Sequence, residues 1–295
     1  MGTIKFGFIG AGKVGFSLGK YLKENRKNVV GYYSKNPHSS QEAAFFTCTK
    51  QFKNLNELVN YSDVIFITTP DSQIQQVYSE LKQLNLRNKA ICHCSGSISS
   101  KIFSNVNNYG AYAYSIHPMF AISSKYNSYK DLQKSFITIE GDEKFKGYFL
   151  QLFKSLGNKV AVISSDNKVL YHTACVTVSN LVLSLINKGV NFLETCDFSK
   201  EDALNALFPL IENNLQNIKK QGLVDGLTGP VERGDLYTIE KHCEVLNEDD
   251  KELYKLLSKD LLELAIIKNE NRDYKKLQKY LEEDNEKYSC NIQRS

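Results

Sequence analysis

Apolar positions along the chain follow two rhythms, and the change between them falls near residue 164. Before it, short, nearly continuous apolar runs alternate with segments whose apolar residues recur at helical spacing. Residues 4–9, with Ile4, Phe6, Phe8 and Ile9, predict a strand, and Val14, Leu18, Tyr21 and Leu22 then repeat as one face of a helix. Residues 29–34 predict a second strand that Asn36 and Pro37 break off. Residues 63–68 form a continuous apolar run, the pattern of a parallel strand buried on both faces, with a helix following through Val77 and Leu81. Further strands are expected at 90–93, 112–117, 136–139 and 159–163. Strands alternating with helices in this way predict a doubly wound, mostly parallel α/β sheet over residues 1–163. From 164 to 295 the patterns are helical, with Asp166 placed to cap a long first helix, so an all-α second domain is expected.

The turn between the first strand and helix reads Gly10-Ala11-Gly12-Lys13-Val14-Gly15. A G-x-G-x-x-G turn in this place is a dinucleotide pyrophosphate site. Its first glycine permits the tight turn, its second lets backbone approach the phosphates, and its third lets the helix pack closely. The helix N-terminus then faces the negative charge. An Asp or Glu at the end of the second strand would hold a ribose 2′-hydroxyl, but Ser34-Lys35 stands there with no carboxylate beside it in the sequence. A hydroxyl and an ammonium suit a 2′-phosphate, which selects NADP over NAD.

Composition narrows the picture. A chain of 295 residues with 42 % hydrophobic residues can build two cores. Its net charge of +4 arises from 37 basic and 33 acidic residues without a long block of one sign, so nucleic acid is not an expected partner. The apolar stretch 174–186 is short of the ~20 residues that span a membrane and reads as a buried helix. Seven scattered cysteines point to reduced thiols and a cytoplasmic location. No metal is expected: in Cys92-His93-Cys94 the strand alternation turns His93 away from both cysteines.

In an open α/β sheet the reactive end of a ligand lies beyond the carboxyl ends of the strands. Thr69-Pro70, Ser95-Gly96 and His117-Pro118 stand there. Thr69 and Ser95 can donate to ribose or nicotinamide groups, and His117 can relay a proton near neutral pH or only orient its loop. On the first long helix of the second domain, Ser179 falls about 20° and Asn180 about 80° from His172, so the three can share a face as proton donor and substrate anchors. A hydrogen-bonded core histidine is the alternative. Arg233, in the loop 227–235, either clamps an anionic group or pairs with Asp235 or Glu232.

Taken together, Gly10 to Gly15, Tyr33-Ser34-Lys35, His93-Cys94-Ser95-Gly96, Ser115-Ile116-His117-Pro118, Tyr171-His172 with Ser179-Asn180, and Leu227-Thr228-Gly229-Pro230-Val231 with Arg233-Gly234-Asp235 resemble one family. These are Rossmann-like NADP-dependent oxidoreductases carrying a helical C-terminal domain of unknown function. The chain is more distantly similar to 6-phosphogluconate dehydrogenase, ketopantoate reductase and pyrroline-5-carboxylate reductase. The resemblance implies hydride transfer between NADP(H) and a small C=O or C=N substrate in a cleft between the domains of a homodimer. It places His172 and Asn180 where relatives use a lysine and an asparagine; Lys168, one turn earlier, competes for the lysine's role. A protein that binds NADP(H) as a sensor without chemistry is the other reading.

Overall fold

The computed structural model describes residues 3–282. In chain order the elements are β1 (Lys5–Ile9), α1 (Lys13–Glu24), β2 (Asn28–Tyr33), α2 (Pro37–Thr47), β3 (Lys50–Gln51), α3 (Leu55–Tyr61), β4 (Val64–Ile67), α4 (Asp71–Leu81), β5 (Ala90–His93), β6 (Tyr112–Met119), β7 (Phe136–Gly141), α5 (Glu143–Ser155) and β8 (Lys159–Val162). Six helices follow: α6 (Lys168–Glu194), α7 (Lys200–Gly226), α8 (Pro230–Arg233), α9 (Leu236–Val245), α10 (Glu248–Lys268) and α11 (Lys275–Glu282).

All eight strands form one sheet in the order β3-β2-β1-β4-β5-β6-β7-β8. Every pairing is parallel except β6 with β7. Strand order reverses between β1 and β4, so the crevice beyond their carboxyl ends is the switch point where such sheets take ligands. β4 shows why its sequence is a continuous apolar run. Phe66 enters the layer containing Phe6, Phe8, Phe16 and Tyr114, while Ile65 and Ile67 enter the opposite layer with Ile74, Tyr78 and Phe103. Stacked rings of Phe8 with Phe66 (5.3 Å) and Tyr32 (5.2 Å) tie β1 to its neighbours.

Three features differ from the sequence-based expectation. Asn36 and Pro37 do not merely end β2. Asn36 caps α2 by accepting from the His38 amide at 3.1 Å, and Pro37 occupies the first helical position, where its missing N–H costs nothing. Asp166 does not cap the long helix either. Ser164 caps a short 3₁₀ turn at Ser165–Asn167, and Asp166 pairs with Lys101 at 2.8 Å. Finally, α6 is not a buried helix: Val178 (74 %), Leu181 and Leu183 are exposed, and by length and composition alone the segment Ser165–Glu194 could cross a membrane. Apolar residues occur nearly all round α6, so composition marks burial without saying what covers it.

The described chain divides into two compact units between Ser184 and Leu185. The change of sequence texture at 164 instead marks the end of the sheet. Within the second unit, Val231, Ile239, Cys243, Leu262, Ala265 and Leu277 form a small core of their own. In α7, Gly222 breaks the helical path at φ +85°.

Candidate active site

The first glycine turn is built as its spacing requires. Gly10 adopts φ +96°, and a Cβ there would lie 2.9 Å from backbone atoms of Thr68 and Thr69. A Cβ on Gly15 would lie 2.4 Å from Thr68 Oγ1 and 2.7 Å from the Gly10 carbonyl, so the approach of α1 to the ends of β1 and β4 depends on its absence. Gly12 differs: the nearest atom to its Cβ position is the Thr68 carbonyl oxygen at 3.9 Å. The space in front of Gly12 is open. No side chain caps α1 and no acidic residue lies in its first turn, so its N–H groups face outward unneutralised.

A cavity of about 370 Å³ opens there, lined by Gly10, Ala11, Gly12, Ser34, Lys35, Thr69 and Pro70 among others. Lys13, Val14 and Gly15 do not line it: Lys13 is exposed, Val14 half-buried and Gly15 buried. Thr69 Oγ1 is buried with no hydrogen-bond partner, an orphan donor that costs stability unless a ligand completes it. An open cradle at a helix N-terminus and an unpaired hydroxyl on the same cavity fit a dinucleotide. One expectation is corrected here. Although no carboxylate neighbours Lys35 in the sequence, α4 brings Glu80 to it, and the two form an exposed pair at 2.9 Å on the cavity wall.

Beyond β5 and β6 lies a polar cluster joined to that cavity's rim through Asp71, which accepts from Ser95 Oγ at 2.6 Å. Ser95 and Gly96 are buried and lie outside the cavity lining. Lys168, at the start of α6, is 1 % exposed and donates to the Ser95 carbonyl (3.0 Å) and Ser115 Oγ (2.8 Å). Burial pushes its ammonium down to about 8. With two donor positions committed beneath the strand ends, Lys168 acts as a brace. The sequence signal for this is a lysine on an otherwise apolar turn, but its partners come from β5 and β6.

His117 is held by Tyr171, whose Oη lies 2.7 Å from Nδ1 and takes a hydrogen bond from Thr138 Oγ1 at 3.0 Å. Thr138 Oγ1 also reaches the His117 carbonyl oxygen at 3.3 Å, so the three side chains form one connected group. Burial, followed by the charges of Lys168 and the other histidines, lowers His117 to about 3. It therefore stays neutral rather than titrating near neutrality. The His172 ring lies 6.1 Å from that of His117, and a Cβ on Gly96 would fall 2.3 Å from His172 Cδ2. Gly96 thus seats His172 beside His117. Ser179 and Asn180 are exposed and bonded to each other at 3.0 Å, and among the described residues neither hydrogen-bonds His172.

The remaining candidates have structural partners. His93 is buried, accepts from the Ser95 amide on Nδ1 and donates from Nε2 to the Ser99 carbonyl, each at 3.2 Å. Its ring packs on Phe103, whereas Cys92 and Cys94 belong to the other core layer. In the second unit Arg233 lies 3.7 Å from Asp235, which caps α9, so the loop-fixing alternative is the one formed.

A glycine turn at the switch point of a mostly parallel sheet, with its cavity at the helix N-terminus, defines a Rossmann-like α/β protein. Residues 2–118 match the Rossmann-like domain and residues 135–261 match the domain of unknown function (DUF2520), so the chain combines these two domains. Comparison with curated proteins by sequence gives no match. Among solved structures, a Thermotoga maritima protein is similar over 90 % of this chain and 100 % of its own, at 27 % identity and TM-score 0.72. A Bacteroides fragilis protein provisionally named an NADP oxidoreductase aligns over 88 % and 98 %, at 23 % identity and TM-score 0.67. The Plasmodium falciparum pyrroline carboxylate reductase, solved with NADP bound, aligns over 91 % and 97 %, at 16 % identity and TM-score 0.60. The chain has the fold of NADP-dependent reductases.

Proposed function

We propose that this protein is an NADP-dependent oxidoreductase that transfers hydride between NADP(H) and a small C=O or C=N substrate. The observation that carries the reading is the open cradle at Gly12 beside the orphan hydroxyl of Thr69. Gly10, Ala11, Gly12 and the first turn of α1 would hold the pyrophosphate, and Ser34 with Lys35 the 2′-phosphate. Thr69 and Pro70 would border the ribose, and Ser95 with Gly96 the nicotinamide end. When bound, the cofactor supplies the hydride. The chain's own part is to position the acceptor and to manage a proton at the developing anion.

The neutral His117, held by Tyr171, is a hydrogen-bonding group that keeps its charge state. His172, seated beside His117, is the candidate proton donor. Replacing His172 by Ala is expected to lower kcat by roughly 10²–10⁴-fold while leaving NADPH affinity intact, the pattern of a lost general acid. Steady-state kinetics on a carbonyl and imine panel, beside NADPH titration of the same variant, reads both quantities. Unchanged turnover would make His172 scaffold. A homodimer belongs to the same reading and is supported by the apolar side chains that α6 and α7 leave exposed, among them Val178, Leu181, Leu210 and Leu215.

A further inference from the structure

We propose that Lys125, from the segment after β6, is a second cation of the cofactor's 2′-phosphate site, and that Glu42 holds it in reserve in the ligand-free chain. The inference rests on the NADP reading and adds a residue to it. Ser34, Lys35 and Ser39, from the end of β2 and the first turn of α2, line the cavity together with Lys125, which comes from a distant part of the sequence. A phosphate monoester carries about −1.5 to −2 charges at pH 7, and Lys35 alone is balanced by Glu80. Those two leave no net positive charge. The lining's other ammonium is that of Lys125, whose carboxylate partner Glu42, unlike Glu80, lies outside the lining.

Lys125 is built into place. Two hydrogen bonds fix its neighbour Ser124, whose carbonyl accepts from Ser17 Oγ at 3.3 Å and whose amide donates to Ser128 Oγ at 3.0 Å. On the other side Tyr126 sets its ring edge against Phe16 (5.4 Å) and Phe46 (5.2 Å). The ammonium stands 5.1 Å from the centre of the Phe16 ring on α1, a cation–π contact, and the residue lines the cavity. Its partner Glu42, at 2.9 Å, is outside the cavity lining, so the lysine lies between an internal carboxylate and the open site. Tyr126 also donates to Glu42, and both contacts hold that carboxyl below its usual range. Glu42 therefore keeps a hydrogen-bond partner when Lys125 turns away. Ser39 and Glu42 are one turn apart on α2, so the carboxylate that holds Lys125 and a hydroxyl of the cavity lining share one helix face.

Calorimetric titration of the full chain and its variants with NADPH, NADH, 2′,5′-ADP and 5′-AMP tests this. Lys125→Ala is expected to weaken NADPH and 2′,5′-ADP by about tenfold or more, the effect of one charge-assisted contact, and to leave NADH and 5′-AMP within about twofold. Lys125→Arg should restore most of the loss. Glu42→Gln, which frees the lysine, should tighten NADPH and leave NADH unchanged. Equal losses for both dinucleotides in Lys125→Ala would assign the lysine to the pyrophosphate and overturn the proposal. Wild-type preference for NADPH that neither variant alters would overturn it alone; a wild-type chain that takes neither dinucleotide would overturn the cofactor reading and this inference together.

Discussion

Gly12→Asp is expected to abolish NADPH binding, by more than about 100-fold, while the protein melts at or slightly above its normal temperature. The reason is the position of the Cβ. Nothing lies nearer to it than the Thr68 carbonyl oxygen at 3.9 Å, so the fold admits a side chain there. Gly12 is also the N-cap of α1, where aspartate is among the favoured residues and gains about a few tenths of a kcal/mol over glycine. The same carboxylate fills the cradle and repels the pyrophosphate. Gly15→Ala should behave in the opposite way. Its Cβ would meet Thr68 Oγ1 at 2.4 Å and the Gly10 carbonyl at 2.7 Å, an overpacking that costs roughly 1–3 kcal/mol. Thermal melts and NADPH titrations of the two variants separate function from packing. Retained binding in Gly12→Asp, or an unchanged melt in Gly15→Ala, would contradict the division of labour within the turn.

Acid should unfold this protein steeply below pH 6.5, and two histidines should account for much of the slope. Burial lowers His93 to about 4 and His117 to about 3, from an ordinary value of 6.5. Both folded values are depressed, so the unfolded chain binds about one more proton than the folded one at pH 6.5 and approaches two more near pH 5, and stability falls as pH falls. Each missing proton is worth ~1.4 kcal/mol per pH unit, so the pair's contribution reaches a maximum of ~2.7 kcal/mol per unit near pH 5, against a total of about 5–15 kcal/mol for a typical domain. Geometry enforces the neutral state of His93, whose Nδ1 must accept from the Ser95 amide, and enclosure beside the Lys168 ammonium keeps His117 neutral. Carboxylates add their own acid dependence, but it is common to wild type and variant. Denaturant midpoints followed by circular dichroism from pH 7 to 4.5 should therefore fall less steeply in His117→Asn than in wild type. Parallel curves would show that His117 is not held neutral.

Neighbouring residues alone make some parts of the fold legible. β1, its glycine turn and α1 announce themselves because a strand period, three glycines and a helical period follow one another directly. β4 is legible for a similar reason, since burial on both faces leaves a run with no polar interruption. Contacts assembled across the sheet are not. Lys35 has no acidic neighbour in the sequence, yet packing of α4 delivers Glu80 to it. Lys168 looks like one more helical lysine until the ends of β5 and β6 supply Ser95 and Ser115 to bury it. Asn36-Pro37 carries two meanings, as breaker and as helix start, and the sequence favours neither. His117 can be placed at a strand end but not titrated, because its charge state depends on Tyr171 and on enclosure by residues distant in the chain.

The central claim is that the cavity beside Gly12 takes NADP(H). A titration of the wild-type chain with NADPH and NADH, followed by nicotinamide fluorescence, tests it most directly, and a protein with no tryptophan adds little background. The account predicts micromolar binding of NADPH, weaker binding of NADH, and loss of that preference in Lys35→Asp. Failure to bind either dinucleotide, or equal affinities that Lys35→Asp lowers equally, would contradict it.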